Sequence, residues 1–66
     1  MDAGKMKQYR YLRELSKNEK YVDECGKIMN NAMPLLMDVF GMTLLEAKHT
    51  IKDYNFERNI IFRYMR

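Results

Sequence analysis

The chain has 66 residues, one cysteine and a formal net charge of +3, and its 47% hydrophobic content favours a folded domain over a disordered chain. This length allows one domain at most, with little room for a catalytic cleft, and the single cysteine excludes an intramolecular disulfide. No apolar run approaches the roughly 18 residues of a membrane span, and no apolar stretch follows the charged N-terminus as in an export signal, so we expect a cytoplasmic protein without a membrane anchor.

The first predicted element is a helix over residues 5–16 with a narrow apolar stripe. Its apolar members recur every three residues, which is a helical spacing: Met6, Tyr9, Leu12 and Leu15. The other faces of this helix carry charged residues, and a solvent-exposed surface is the simplest explanation for them. The basic residues among them could also contact phosphates or an acidic protein surface. The candidates are Lys5, Lys7, Arg10, Arg13 and Lys17, together with Arg58 and Arg63 near the end of the chain. We therefore divide the domain into a basic helical segment, residues 1–17, and a helical core, residues 18–66.

A second helix is predicted after Asn18, which is a favourable N-cap. The apolar residues that follow keep a three-four spacing: Tyr21, Val22, Cys25, Ile28, Met29 and Ala32. This pattern places Cys25 in the core as a small apolar residue. Gly26 lies within the run, where a glycine permits the close approach of another helix.

Asn30 and Asn31 interrupt this pattern, and Pro34 follows them. Proline is tolerated in the first turn of a helix but not in its interior, so we predict a break near residues 30–32 and a new helix over residues 34–40. A kinked continuous helix is the alternative. Gly41 then ends the helix as a C-terminal capping glycine.

Thr43 and Glu46 have the spacing of a capping box, in which each side chain bonds to the backbone N–H of the other residue. The helix that they begin should run to about residue 54, burying Leu44, Ala47, Ile51 and Tyr54. Asn55 could cap a last helix, whose apolar face would be Phe56, Ile60, Ile61 and Tyr64. The two helices would form a hairpin with a very short turn.

Residues 28–66 resemble the ubiquitin-associated (UBA) family of three-helix domains. The resemblance rests on a glycine between an aromatic residue and a methionine, an alanine six residues later and an asparagine at the second turn. The matching positions are Gly41, Ala47, Ile51, Asn55 and Ile60. The resemblance implies a partner-binding patch made of Phe40, Met42, Tyr64 and Met65.

Catalysis is not expected. His49 and Cys25 fall in different predicted helices with no third member of a triad, and the three glycines are isolated. His49 is expected to be exposed. We expect no cofactor and no metal.

Seven methionines are an unusual number for 66 residues, and Met29, Met33 and Met37 are spaced four apart. Methionine fills irregular gaps in a core, but it also suits a surface that must adapt to a partner. A core this small cannot hide every apolar residue of the chain, so part of this set should form an interface.

The fold expected is therefore all-α, a small bundle of three or four helices with a C-terminal helix-turn-helix-like hairpin. The leading hypothesis is a non-catalytic protein-interaction module, a regulator or inhibitor of phage-type or bacterial accessory kind, with a homodimer left open. Its expected contacts are Met33, Met37, Phe40, Met42, Phe62, Tyr64 and Met65. The alternative is a basic DNA-binding transcriptional regulator acting as a dimer, with residues 43–64 as a helix-turn-helix.

Overall fold

The computed structural model describes residues 3–64, with the side chains of residues 3–58, and its fold is all-helical. This confirms the fold class expected from the sequence. Two short 3₁₀ helices, Glu19–Tyr21 and Asn30–Ala32, lie between the first and second α-helices. The three α-helices are α1 (Ala3–Leu15), α2 (Met33–Phe40) and α3 (Leu44–Tyr64).

The predicted second helix is wrong. After the short 3₁₀ helix, residues 22–28 form a loop that an isolated antiparallel bridge between Val22 and Ile28 closes. The Asp23 side chain accepts hydrogen bonds from the backbone N–H groups of Cys25 and Lys27, at 2.8 and 2.9 Å. Such local bonds compete directly with a helical backbone, and here they prevail over the apolar spacing.

Two residues of this segment differ from their predicted roles. Cys25, expected in the core, is exposed. Gly26 has a φ of +80°, a left-handed conformation that glycine adopts readily, and it lies in the loop instead of inside a helix. Asn18 does cap, as predicted, but it accepts from the N–H of Lys20 at the start of a 3₁₀ turn.

The break near residues 30–32 and the helix that follows it are confirmed. Pro34 lies in the first turn of α2, where backbone N–H groups have no partner within the helix, so the N–H that proline lacks is not needed there. Gly41 ends α2 with a φ of +65°, as a capping glycine does. The alternative of one kinked helix through Pro34 is wrong.

The capping box at the start of α3 is confirmed. The Thr43 N–H donates to Glu46 Oε1 at 3.1 Å, and the Glu46 N–H donates to Thr43 Oγ1 at 3.2 Å. Hydrogen bonds from the Thr43 backbone N–H and from the Thr43 side chain to the Glu46 carboxylate lower the pKa of that carboxyl below its usual value.

The turn predicted at Asn55 is absent, because α3 continues without a break from Leu44 to Tyr64. Instead of capping a helix, the Asn55 amide bonds to the loop: Ile28 N–H donates to Oδ1 at 2.8 Å, and Nδ2 donates to the Ile28 carbonyl at 3.0 Å. Neither the predicted hairpin nor a separate last helix is therefore present in residues 43–64.

The core lies where α1 and α2 pack against α3, with the second 3₁₀ helix in contact with α2. Its buried members are Tyr9, Leu12, Ile28, Ala32, Leu36, Ala47, Ile51 and Tyr54. The two central rings, Tyr9 and Tyr54, meet edge to face with their centroids 5.6 Å apart. Leu44, predicted to be buried, is exposed, since the buried face of α3 begins one turn later at Ala47.

Both central tyrosines are held in the neutral form. Burial raises the pKa of Tyr9 well above its usual value, and a 3.0 Å hydrogen bond from its hydroxyl to Glu57 adds to the shift. Burial likewise raises the pKa of Tyr54, although a hydrogen bond with Ser16 partly offsets it.

These shifts predict that the protein loses stability in alkali. Below about pH 10 both hydroxyls are neutral in the folded and unfolded chains, so their contribution to stability is complete there. Above about pH 10 the Tyr9 hydroxyl ionises in the unfolded chain but stays neutral in the folded one. The free energy of unfolding therefore falls as the pH rises. Urea unfolding followed by circular dichroism between about pH 8 and pH 11 should show this fall.

The Tyr9→Phe variant isolates the Tyr9 contribution, because lysine deprotonation affects both chains alike. Its stability should decline less steeply with pH than that of the wild type over the same range. Parallel declines in the two proteins would show that Tyr9 ionises equally in both states, contrary to the shift described above.

Candidate interaction surfaces

Large apolar side chains cluster at the junction of α2 and α3, and we call this cluster the apolar corner. Three of them are more than half exposed: Val39 at 54%, Leu44 at 58% and Leu45 at 64%. Phe40 and Met42 complete the corner and are half-buried against the core. Exposed aliphatic residues are ordinary singly, but these five apolar residues lie within seven positions of the chain, at one helix junction.

Local structure holds the corner in place. The left-handed Gly41 turns the chain sharply, and the capping box fixes the first turn of α3, which carries Leu44 and Leu45. The Tyr11 ring packs edge to face on Phe40 with centroids 5.5 Å apart. Thr50 Oγ1 donates to the Met42 sulfur at 3.8 Å. These contacts tie the corner, including Met42 in the connection between the helices, to α1 and α3.

A shallow groove of about 370 Å³ borders the corner on the side that faces α1. The polar side chains around it come from α1 and α3: Gln8, Glu46, His49 and Thr50. An apolar centre with a polar rim is the arrangement found in protein–protein interfaces. His49 is exposed, as expected.

The predicted protein contacts occupy several places. Phe40 and Met42 lie in the apolar corner. Met33 and Met37 lie on α2, half-buried against the core. Phe62 and Tyr64 belong to α3, but their side chains lie outside the described residues, as does the whole of Met65.

Sequence reasoning missed Val39, Leu44 and Leu45 as contact residues. The signal was available in the capping box, because a box at Thr43 and Glu46 places two leucines in the first turn of a helix. The last turn of α2 and the first turn of α3 are joined by residues 41–43 only. Because the connection is so short, neither helix folds back over the apolar side chains at the end of the other.

Several predicted basic contacts are engaged within the protein. Lys5 lies 3.9 Å from Glu57 and over the Tyr9 ring, and Lys17 pairs with Glu14 at 3.2 Å. The Arg58 guanidinium donates to the Cys25 carbonyl at 2.9 Å. Lys7 and Arg10 are exposed on α1, Arg13 is half-buried there, and the side chain of Arg63 lies outside the described residues.

Within the part of the chain that is described, no group of three or more His, Cys, Asp or Glu side chains is placed to hold a metal ion. Over the same residues, no helix combines the length and the apolar character that a membrane crossing requires. No protein-family model, curated protein or solved structure matches the chain.

Proposed function

We propose that this chain is a small, non-catalytic interaction module that regulates or inhibits a larger protein by covering one of its apolar surfaces. The observation that carries the proposal is the apolar corner, where Val39, Leu44 and Leu45 keep more than half of their surface in water. Moving these exposed parts out of water would contribute on the order of 3 kcal/mol to binding. The fully buried centre of an interface is more apolar than the rest of a protein surface, and the corner matches that composition.

The size of the chain fits an interface centred on this corner. A standard protein–protein interface buries about 800 Å² on each partner. The whole chain exposes 4907 Å², so such an interface would take roughly one sixth of its surface. The UBA resemblance implies contacts at Phe40 and Met42, which belong to the same corner, but the turn at Asn55 on which the resemblance also rests is absent.

The alternative function, a DNA-binding dimer, was predicted from a helix-turn-helix in residues 43–64, and the structure does not contain that motif there. A helix-turn-helix requires two helices that cross, so that the second enters the major groove. Residues 44–64 form one continuous helix instead. We therefore give the protein partner first place.

A photo-reactive amino acid at Leu45 tests the proposal directly. Cross-linking in a lysate of the native cells should yield one discrete product with a larger protein, and this product should persist at high salt. Adding Val39→Glu to the same chain should abolish it while the circular dichroism spectrum stays helical. The matched control carries the photo-reactive group at Lys7, which is exposed on α1 outside the corner, and it should give no such product.

Three outcomes would contradict the proposal. Equal products from positions 45 and 7 would mean that the contacts are non-specific. A product of only twice the mass of the chain would mean that the corner serves self-association. Loss of the product at moderate salt and on nuclease treatment would favour the nucleic-acid alternative, since phosphate contacts weaken steeply with salt.

A further inference from the structure

A second groove lies apart from the apolar corner, between the loop after Gly26 and the middle of α3. Its volume is about 650 Å³. Ile28 and Ile51 line its apolar part, and the Asn30 and Asn55 side chains also line it. Asn55 is held in place by its two hydrogen bonds to Ile28, so this wall of the groove is fixed.

Three lysines surround the groove, Lys27 on the loop and Lys48 and Lys52 on α3, and we call it the lysine groove. All three are exposed, and only one carboxylate, Asp53, shares the lining. Lys48 and Lys52 are four residues apart on one helix face, where like charges repel each other. The groove therefore concentrates positive charge, although the repulsion between Lys48 and Lys52 slightly destabilises α3.

Phe56 lies one turn beyond Lys52 in the same lining, and 88% of its surface is exposed. It is the most exposed of the large apolar residues whose side chains are described. Residues 48, 52 and 56 follow one face of α3, so the ring continues the row of the two ammonium groups. An open aromatic face beside lysines is the combination that binds unpaired bases along with their phosphates.

We propose that the lysine groove binds a short single-stranded segment of nucleic acid. A base stacks on Phe56, and the neighbouring phosphates lie against Lys48, Lys52 and Lys27. The Asn30 amide can donate to, or accept from, a base edge. A run of acidic side chains would pair with the lysines but would bring no ring to stack on Phe56. In a duplex, each base is already stacked on its neighbours, so its face is not open to Phe56.

The dimensions suit a few nucleotides. Eight residues of α-helix rise about 12 Å from Lys48 to Phe56. Stacked nucleotides rise about 3.4 Å each, so the row spans roughly three to four of them.

Fluorescence anisotropy with a labelled oligothymidine and a labelled oligouridine of about 12 nucleotides tests the proposal on the full chain. The wild type should bind at low salt, and Phe56→Ala should weaken the affinity about 5- to 150-fold, the range measured for one stacked base. Lys48→Gln should weaken binding and also reduce the dependence of log K on log salt by about 0.7, the value for one lost phosphate contact to a single strand.

Two controls keep the result specific. Lys7→Gln removes an exposed lysine of α1 that does not line the groove, and Leu45→Asp alters the apolar corner; both should leave the affinity unchanged if the groove is the site. Circular dichroism on every variant separates loss of binding from loss of folding. Phe56→Leu keeps an apolar side chain but has no ring, so it should bind as weakly as Phe56→Ala.

The proposal is overturned if the wild type fails to bind either oligonucleotide at low salt, or if the Phe56 and Lys48 variants bind as tightly as the Lys7 control. It is also overturned if a duplex of the same length binds as well as the single strand. Competition by polyglutamate as effective as that by unlabelled oligothymidine would reassign the groove to acidic proteins. None of these outcomes depends on whether the apolar corner has a protein partner.

Discussion

Tyr54→Ala is expected to leave the protein largely unfolded at room temperature. The ring is fully buried and meets Tyr9 edge to face at the centre of the core. Removing a buried aromatic ring costs about 3–5 kcal/mol, through lost burial and the cavity left behind. The core of a chain this short rarely supplies more than roughly 3–5 kcal/mol of stability, so the loss takes up most of it. Circular dichroism and urea unfolding measure the effect.

The matched variant is Tyr54→Phe, which keeps the ring and removes only the hydroxyl. It should remain folded and lose about 1 kcal/mol, the usual net value of one hydrogen bond. If Tyr54→Ala gave an unfolding midpoint close to that of Tyr54→Phe, the ring would not be the centre of the core, and the packing of α1 on α3 described above would be wrong.

Asn55→Ala is expected to lower the free energy of unfolding by about 2–4 kcal/mol, although the substitution favours helix formation locally. The Asn55 amide is the partner of both backbone groups of Ile28, a residue that is only 4% exposed. Without the amide, a buried N–H and a buried carbonyl lose their partners, and each unsatisfied group costs about 1–3 kcal/mol. Urea unfolding at neutral pH gives the difference.

Lys52→Ala is the control for Asn55→Ala, because it also introduces an alanine into α3, at an exposed position three residues earlier. It should change stability by no more than about 0.5 kcal/mol. Asn55→Asp keeps the acceptor for the Ile28 N–H but places a carboxylate oxygen against the Ile28 carbonyl, so at neutral pH it should also be less stable than Lys52→Ala. Equal stabilities for Asn55→Ala and Lys52→Ala would show that the loop is not anchored through Asn55.

The elements with local signals were predictable from the sequence. The break before α2, the capping glycine at residue 41 and the capping box at Thr43 and Glu46 each depend on bonds within four residues, and the structure contains all three. The errors came where a distant group decides the conformation. Asn55 is a good helix cap in isolation, and only the loop around Ile28, 27 residues away, explains why it lies inside a helix.

The same distinction explains the loop at residues 22–28. Its apolar residues have helical spacing, but Asp23 and Gly26 favour a turn, and Arg58 supplies a further anchor by donating to the Cys25 carbonyl. An added Cβ at Gly26 would lie 2.9 Å from Nη1 of Arg58. The prediction that Gly26 permits the close approach of another helix is therefore wrong, because the group that approaches it is the guanidinium of Arg58.

For the candidate surfaces, the sequence indicated Phe40 and Met42 but not the three aliphatic residues around them. Exposure at a helix junction depends on where the neighbouring helix ends, and periodicity carries no information on that point. The lysine groove was missed for a related reason. Lys48, Lys52 and Phe56 share a helix face only because α3 continues through Asn55, and Lys27 joins them only through the anchored loop.

The contact between Tyr9 and Tyr54 also bears on the order in which the chain folds. Residues 41–43 join α2 to α3, so that pair forms by closing a very short loop, whereas α1 reaches α3 across more than 40 residues. Loop-closure entropy rises by about 0.6 kcal/mol for each doubling of loop length. We therefore expect α2 and α3 to form the folding nucleus and α1 to dock late, which makes the undocking of α1 the first step by which the native state opens.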